Sequence, residues 1–449
     1  MRDFLTKLYK AGDFWGGFAA MLVALPASIA FGVTIYAAIS PTHAALGALA
    51  GIIGASVIGL LASVFGGTDR LISAPCAPAA AVLSAFAIGM VHDGVPPGNI
   101  VLMLLMLGIL AGLFQVLFGV VGIGQLIKYI PYPVVSGYLT GVGLIIIGSQ
   151  LSKLVGAPLG TPWYLSIITP EMWDSRALTV GGATIVAILI GPQLTKKLPG
   201  TILGVIAGVA TYFVLASQDA SLLQLGNNPL IIGPLGVSGE GYFASITGRW
   251  NEIGELRLGQ VAALMGSALT LAVLLSIDTL KTCVVLDQMT RSQHNPNREL
   301  VAQGVANIAS SSVGGIPGAG TMGATLINLS SGATTRASGL VEGFLSLIAA
   351  LLLGSFVAWI PVSALAAGLI VVGIRMIDKE PLRFIQSSAT VFDFGVVVSV
   401  VVVALTVGLI AASAVGVILA IVLFLREQIG GSVVRHKFYV NQMSSNWYR

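Results

Sequence analysis

Charged side chains are scarce in this chain: Asp, Glu, Lys and Arg together make up 9% of its 449 residues. Soluble proteins contain about 25% of these residues. A chain so depleted cannot cover its own surface with polar groups, which excludes an ordinary soluble domain. The net charge is only +4, and we attribute it to orientation in a membrane and not to binding of nucleic acid.

Cysteine is also rare, and the usual patterns of enzyme chemistry are missing. Cys76 and Cys283 both lie in apolar segments, so we expect no disulfide. There is no HExxH, no GxSxG and no acidic pair spaced for hydrolysis. The four histidines form no metal-binding cluster and lie near predicted interfaces or loops: His43, His92, His294 and His436. We therefore expect no metal site, no cofactor and no enzymatic activity.

Apolar residues dominate instead, at 56% of the chain with a mean hydropathy of +0.94. Spans of about 17–25 residues predict an all-α membrane protein. The first apolar stretch is too long for a cleavable signal and is interpreted as the first span. The fourteen predicted spans are residues 14–37, 44–65, 76–91, 100–123, 130–151, 178–194, 200–216, 259–283, 299–312, 318–330, 337–359, 361–377, 390–409 and 411–425.

The basic residues predict how the chain is oriented. With a cytoplasmic N-terminus, nearly all loop lysines and arginines fall on the inner side, as the positive-inside rule requires. Only Lys153, Arg176, Arg249 and Arg257 fall on the outer side. We expect a multi-pass protein of the bacterial inner (plasma) membrane with both termini in the cytoplasm.

The longest aqueous stretch, Ser217 to Leu258, divides the chain into two seven-span halves. Because seven is odd, a second half of the same fold runs inverted through the membrane. The first repeat would cover about residues 10–216 and the second about residues 259–426. Spans three and ten are interrupted, at residues 74–78 and 318–321, and paired interruptions are the sequence signature of a transporter site built from half-helices.

Asp278 and Lys281 place two opposite charges one helical turn apart in an apolar run. A charge inside hydrocarbon costs about 2.5–3.5 kcal/mol even on the most lenient scale. Asp278 could bind a coupling ion, carry a proton or pair with Lys281, and Lys281 could attract an anion or neutralise Asp278. The structural alternative is that the two side chains only neutralise each other.

The segment Gly318-Ala-Gly320-Thr-Met-Gly323 matches GxGxxG. We reject a dinucleotide site because we expect no strand before it and no βαβ unit around it. Pro317 and Gly318 favour a helix start, whose free N–H groups attract an anion. The alternative is a close helix-packing surface. In span three, Pro75 and Pro78 place a second helix start near Cys76, or else mark a simple kink.

Several longer motifs resemble the SulP family of sulfate-permease-type anion transporters, and the resemblance covers nearly the whole chain. In span one they are Asp13-Phe-Trp-Gly-Gly17 and Leu25-Pro26-Ala-Ser-Ile-Ala30-Phe31, and Phe65-Gly66-Gly67-Thr68 leads to Ser73-Ala-Pro75-Cys76. The most specific run joins Ser276-Ile-Asp278 and Asp287 to His294-Asn-Pro-Asn297-Arg-Glu299-Leu and Gln303-Gly304. Gly315-Ile-Pro317 and Asn328 complete the span-ten pattern.

The resemblance implies a fourteen-span 7+7 inverted repeat, divided into core and gate subdomains, with elevator-like movement and homodimers in the lipid bilayer. It implies an anion held between the N-termini of spans three and ten. Asp278 would be the coupling acid, and Thr282, one turn later, would complete a sodium site as in the bicarbonate-transporting members. The substrate-binding positions implied are Pro26, Phe31, Cys76, Ala77, Gly320, Thr321 and Met322.

The chain departs from the family pattern at Ala27, Ala324 and Lys281, where a glutamine, an arginine and a neutral residue are expected. It also ends about where members usually continue into a cytoplasmic STAS domain, so we expect a single transmembrane domain over residues 1–449. The first two changes favour likeness to the cyanobacterial bicarbonate transporters of the family. The Lys281 ammonium could take the place of sodium beside Asp278, which predicts sodium-independent transport.

The sequence therefore predicts a secondary active transporter of small inorganic or carboxylate anions, with bicarbonate and sulfate as the leading substrates. Protons, sodium or a counter-anion would provide the coupling. An uncoupled anion channel would use the same residues. A nucleobase carrier of related inverted-repeat fold would need polar side chains where Ala77 and Ala324 stand.

Overall fold

The computed structural model describes residues 11–40, 43–125, 132–158, 161, 163–194, 200–225, 228–233, 250, 258–377, 381, 391–407, 411–412, 415–416, 418–419 and 422. The described chain is mostly helical, with one short two-stranded ladder. The first half contains α1 (Ala11–Ala37), α2 (Ala44–Phe65), β1 (Ser73–Pro75), α3 (Ala77–His92), α4 (Pro97–Val121), α5 (Tyr132–Leu154), α6 (Trp163–Ile168), α7 (Ser175–Leu194) and α8 (Gly200–Ala216). The second contains α9 (Leu258–Thr290), α10 (Pro296–Ser312), β2 (Gly318–Gly320), α11 (Met322–Ser330), α12 (Ala337–Val357), α13 (Val362–Met376) and α14 (Val391–Thr406).

Long apolar runs and local capping residues determine where these helices lie. Five helices in the described part are long and apolar enough to cross a membrane: α1, α2, α4, α7 and α9. At the start of α10, the Asn295 side chain accepts a hydrogen bond from the Arg298 N–H at 3.0 Å. At the end of α4, Gly122 adopts a left-handed φ of 87°, which glycine permits without strain.

Most helices follow the predicted spans closely. The largest difference is at the end of α9, which continues to Thr290 although its predicted span ended at residue 283. Its polar last turns continue the helix because Asp287 pairs with the following turn through Ser292 and His294. Most of predicted span fourteen and most of the stretch between the halves lie outside the described residues, so the count of fourteen stays a prediction.

The helices form two packing groups. The first helix group contains α1, α2, α3, α4, α9, α10, α11 and α12, and the second contains α5, α7, α8, α13 and α14. Contact between the groups runs chiefly through α1 with α8 and α13, and through α3 with α5. Within the first group α1 and α2 approach at backbone distance: a Cβ on Gly32 would collide with the Gly47 carbonyl oxygen, so glycine is required there.

At the centre of the first group, β1 and β2 pair in antiparallel register, with Ser73 opposite Gly320 and Pro75 opposite Gly318. One sequence expectation was wrong here, because Gly318 does not begin a helix and instead lies in a short strand within the GxGxxG segment. Gly318 approaches β1 so closely that a Cβ would collide with the Ala74 carbonyl group. Close strand pairing, and not helix initiation, explains this glycine, and α11 begins only at Met322.

Candidate functional site

The two interrupted segments end in helix N-termini that lack side-chain caps. Cys76, with φ −134° and ψ 164°, immediately precedes α3, and Thr321, with φ −91° and ψ 122°, immediately precedes α11. Neither side chain makes a capping hydrogen bond to its own helix. The first-turn N–H groups therefore keep their positive partial charge for a ligand.

Because the ladder is antiparallel, α3 and α11 leave it from opposite ends. Thr321 lies opposite Ile72, four residues before Cys76 along the chain, so at about 3.3 Å per strand residue the residues that precede the two helices are separated by roughly 13 Å. Both starts are attached to the same short ladder, which is buried at every position. The ladder therefore fixes the relative positions of two positively polarised helix ends inside the protein.

Apolar side chains surround the start of α3. Cys76 is only 3% exposed, and it belongs to one core cluster with Ala77, Leu25 and Phe31. Pro26 is half-buried within α1, where it lacks the N–H that would continue the helix ladder. Phe31, Cys76 and Ala77 therefore belong to the same buried cluster, and Pro26 lies five residues before Phe31 on α1.

Polar side chains of α9 position the start of α11. The Gly320 N–H donates to Thr279 Oγ1 at 3.0 Å, and the Gly320 carbonyl accepts from Thr282 Oγ1 at 3.0 Å. Thr321 donates its own N–H to the Ile72 carbonyl at 2.8 Å and turns its hydroxyl to the same oxygen at 3.3 Å. Met322, the first residue of α11, is half-buried.

Two charged side chains of α9, Asp278 and Lys281, form an ion pair. Lys281 Nζ lies 3.4 Å from Asp278 Oδ1, and 32% and 16% of the two side chains are accessible. Thr282, the next residue after Lys281, directs its hydroxyl to the Asp278 carbonyl at 2.9 Å as well as to Gly320. Thr282 therefore connects the helical turn that carries the ion pair to the segment that leads into α11.

Sequence reasoning missed the residue that holds the start of β2. Asn307 Nδ2 donates to the Gly318 carbonyl at 3.0 Å, and the Gly318 N–H donates to Asn307 Oδ1 at 2.8 Å. Gln115 Oε1 receives the same Nδ2 group at 2.7 Å. Burial is what identifies Asn307: the residue is fully buried in the helix bundle, and a buried amide group needs hydrogen-bond partners.

The residues of the motif from Asp287 to Gln303 hold the helices around the ladder in place. Asp287 Oδ2 accepts hydrogen bonds from the His294 N–H at 3.0 Å and pairs with its ring Nδ1 at 2.6 Å. Glu299 accepts from the Gly67 N–H at 2.7 Å, and Gln303 reaches Ser73 Oγ of β1 at 2.6 Å. These residues fold the turn between α9 and α10 and connect it to β1.

A small cavity lies where the two helix groups meet, among α1, α3, α5 and α13. Its wall contains Phe31 together with four polar side chains: Thr34, Ser84, Ser149 and Gln150. Gln150 Nε2 donates to Thr34 Oγ1 at 3.3 Å and to Ser149 Oγ at 3.1 Å. Polar groups therefore continue along the group boundary beyond the start of α3.

Known proteins resemble this chain over most of its length. It is 33% identical to bicarbonate transporter BicA of Picosynechococcus sp. over 92% of this chain and 69% of that protein. It is 25% identical to the putative sulfate transporter YvdB of Bacillus subtilis over 94% of this chain and 74% of that protein.

Solved structures agree in fold. The transmembrane domain of a cyanobacterial BicA superposes with a TM-score of 0.72 and 29% identity, covering 90% of this chain and 97% of that one. Murine Solute Carrier 26 family member A9, an anion transporter in the inward-facing state, gives a TM-score of 0.74 at 18% identity, covering 93% and 69%. The second likeness shows the fold alone.

The family itself follows from the match of a family model to most of the chain. The model described as the sulfate permease family matches residues 11–402. This match agrees with the fold of a multi-pass membrane protein and with the motifs of the interrupted segments. The chain belongs to the sulfate permease family.

Proposed function

We propose that this protein is a secondary active transporter of small inorganic anions, held between the helix ends of α3 and α11. The observation that carries the proposal is the buried ladder that presents two uncapped helix N-termini. Each helix end is equivalent to about half a positive charge. Together the two ends balance one negative charge without an arginine, and Ala324 stands where an arginine was expected.

Bicarbonate is our first candidate substrate, and sulfate is the second. A monoanion matches the combined charge of the two helix ends better than a dianion does. Two relatives at 33% and 32% identity are named bicarbonate transporters, whereas putative sulfate transporters match at 25%. The anion would contact Cys76, Ala77 and Phe31 at one end, and Gly320, Thr321 and Met322 at the other, with Pro26 beside Phe31.

Lys281 would make transport independent of sodium. A cation site near Gly320 would draw on the Asp278 carboxylate, the Thr282 hydroxyl and the Gly320 carbonyl, which are oxygen ligands of the kind that hard cations bind. The Lys281 ammonium already lies 3.4 Å from this carboxylate. Protons or a counter-anion would then couple transport.

The two helix groups would act as the core and the gate of an elevator. The first group carries both helix ends and the Asp278–Lys281 pair, while the second contributes α5 and α13 at the boundary. We further propose a fourteen-span inverted repeat in one transmembrane domain, a homodimer, and both termini on the cytoplasmic side of the plasma membrane. The asymmetry of the basic residues supports this orientation.

Uptake into proteoliposomes tests the proposal. We expect saturable uptake of labelled bicarbonate or sulfate that unlabelled substrate competes away. Chloride and dicarboxylates are the comparison anions, and empty liposomes are the control. A steady, non-saturating anion current would favour the channel, and inhibition of uptake by uracil would favour the nucleobase carrier.

A further inference from the structure

Tyr138 of α5 buries a hydroxyl group that has no partner. The residue is 7% exposed, and its Oη atom makes no hydrogen bond to any residue that the structure describes. A buried hydroxyl normally finds a partner, since leaving it unpaired is costly. This unpaired donor therefore needs an explanation.

The position of Tyr138 points to the anion site. It shares the core cluster of Cys76, Ala77 and Phe31, and α5 packs against α3. The Cys76 thiol and the Asp278 carboxylate lie close enough to the Tyr138 hydroxyl to interact with it electrostatically. Tyr138 thus approaches the start of α3 from the second helix group.

Tyr212 is a second buried tyrosine, and its hydroxyl is hydrogen-bonded within the protein. It is 1% exposed, and its hydroxyl donates to the Leu222 carbonyl at 2.7 Å. The Tyr212 Oη atom also accepts a hydrogen bond from Asn228 Nδ2 at 2.7 Å. The protein therefore satisfies Tyr212 completely while leaving Tyr138 unpaired.

We infer that the Tyr138 hydroxyl donates a hydrogen bond to the transported anion from the second helix group. This inference rests on the proposed function and adds a specificity-determining residue to it. The hydroxyl supplies a neutral donor suited to an oxygen of a small oxyanion. An anion bound at the start of α3 would then contact both helix groups at once, so its binding would depend on how they are placed.

The test is Tyr138→Phe, which removes only the unpaired oxygen. In proteoliposomes we expect the KM for labelled bicarbonate to rise at least tenfold, because a hydrogen bond to a charged group is lost, with the maximal rate largely kept. The thermal unfolding temperature should not fall. The matched control, Tyr212→Phe, should lower the unfolding temperature and leave KM unchanged.

Protection of Cys76 from a thiol reagent supplies a second readout that does not require turnover. Tyr138→Phe should raise the bicarbonate concentration that gives half-protection by the same factor as KM. An unchanged KM and unchanged protection, with wild-type uptake intact, would overturn the role of Tyr138 alone. Absence of uptake of any tested anion by the wild type would instead overturn the proposed function.

Discussion

The two ends of the central ladder differ in the side chains that surround them. The start of α3 is surrounded by apolar side chains, with Cys76 in a cluster that includes Phe31 and Leu25. The segment leading into α11 is held by hydrogen bonds with the side chains of Thr279, Thr282 and Asn307, of which Thr279 accepts and the other two donate. Both ends present an uncapped helix N-terminus, so their electrostatic role is shared.

Because their surroundings differ, we expect the two ends of the ladder to have different roles in transport. Apolar walls at α3 exclude water and strengthen the attraction between a helix end and an anion. Polar side chains at α11 fix the backbone and connect it to the Asp278–Lys281 pair. Substrate affinity should therefore depend most on the α3 end, and coupling on the α11 end.

The largest effect is expected from Lys281→Leu, which leaves Asp278 without its counter-charge. Removing one partner of a partly buried pair leaves a charge without compensation in an environment of few other polar groups. We expect uptake to fall at least tenfold or to become sodium-dependent, measured at constant pH and ionic strength. Lys281→Arg, which keeps the charge, is the control. Saturable stimulation of wild-type uptake by sodium would contradict this role for Lys281.

Asn307→Leu should have the largest effect on stability. It removes the partner of both Gly318 backbone groups and of Gln115. Each unsatisfied buried group costs about 1–3 kcal/mol, so we expect the free energy of unfolding to fall by about 3 kcal/mol or more. Thermal unfolding in detergent measures this. Ser399→Ala, which removes one exposed hydrogen bond within α14, should change little.

Thiol labelling tests whether the apolar end contacts substrate. Labelling of Cys76 should slow severalfold when bicarbonate is present. Cys283 offers a matched control, since it is also buried but pairs with the Thr68 hydroxyl at 3.3 Å. A Cys76→Ser variant should retain only labelling that bicarbonate does not affect. Labelling of Cys76 at the same rate with and without every transported anion would contradict contact at α3.

The smallest effect is expected at the exposed ion pairs of Arg176, in the first turn of α7. Arg176 pairs with Asp174 at 3.0 Å and with Asp219 at 3.4 Å. Exposed pairs contribute less than about 1 kcal/mol. Arg176→Ala should therefore lower stability by no more than that and leave uptake unchanged.

The pH dependence of that small contribution has a definite sign. Partial burial raises the pKa of Asp174, but hydrogen bonds and charge from Arg176 lower it more, so the net shift is downward. The pair therefore stabilises the fold above the ordinary carboxyl pKa of about 3.9, and this stabilisation is lost as the pH falls further. Comparing wild type and Arg176→Ala in unfolding measurements at pH 7 and pH 3 would detect it. A difference in stability between wild type and Arg176→Ala that is larger at pH 3 than at pH 7 would contradict this prediction.

Hydropathy predicted the helices because spans of apolar residues have no other way to satisfy their backbone in lipid. The interruptions at Pro75 and Gly318 were also visible, since proline and glycine alter local backbone geometry. Their pairing as strands was not, because strand pairing between distant segments depends on tertiary approach. GxGxxG favoured a helix start when only the local sequence was considered.

Side-chain roles were predictable where charge made them conspicuous. Asp278 and Lys281 stood out in an apolar run, and they do pair. Thr279 and Asn307 did not stand out, because threonine and asparagine occur in many helices for other reasons. Tyr138 could not be distinguished from other tyrosines until the absence of a partner for its hydroxyl was seen.

Pairing of β1 with β2 also constrains how the protein is made. Ile72 and Thr325 are hydrogen-bonded although 253 residues separate them in the chain. When the ribosome has delivered only the first half to the membrane, the Ile72 and Ser73 backbone groups lack these partners. They must remain in water or in contact with the insertion machinery, because unpaired groups are costly in lipid. We therefore expect the central ladder to form only after the second half has been inserted.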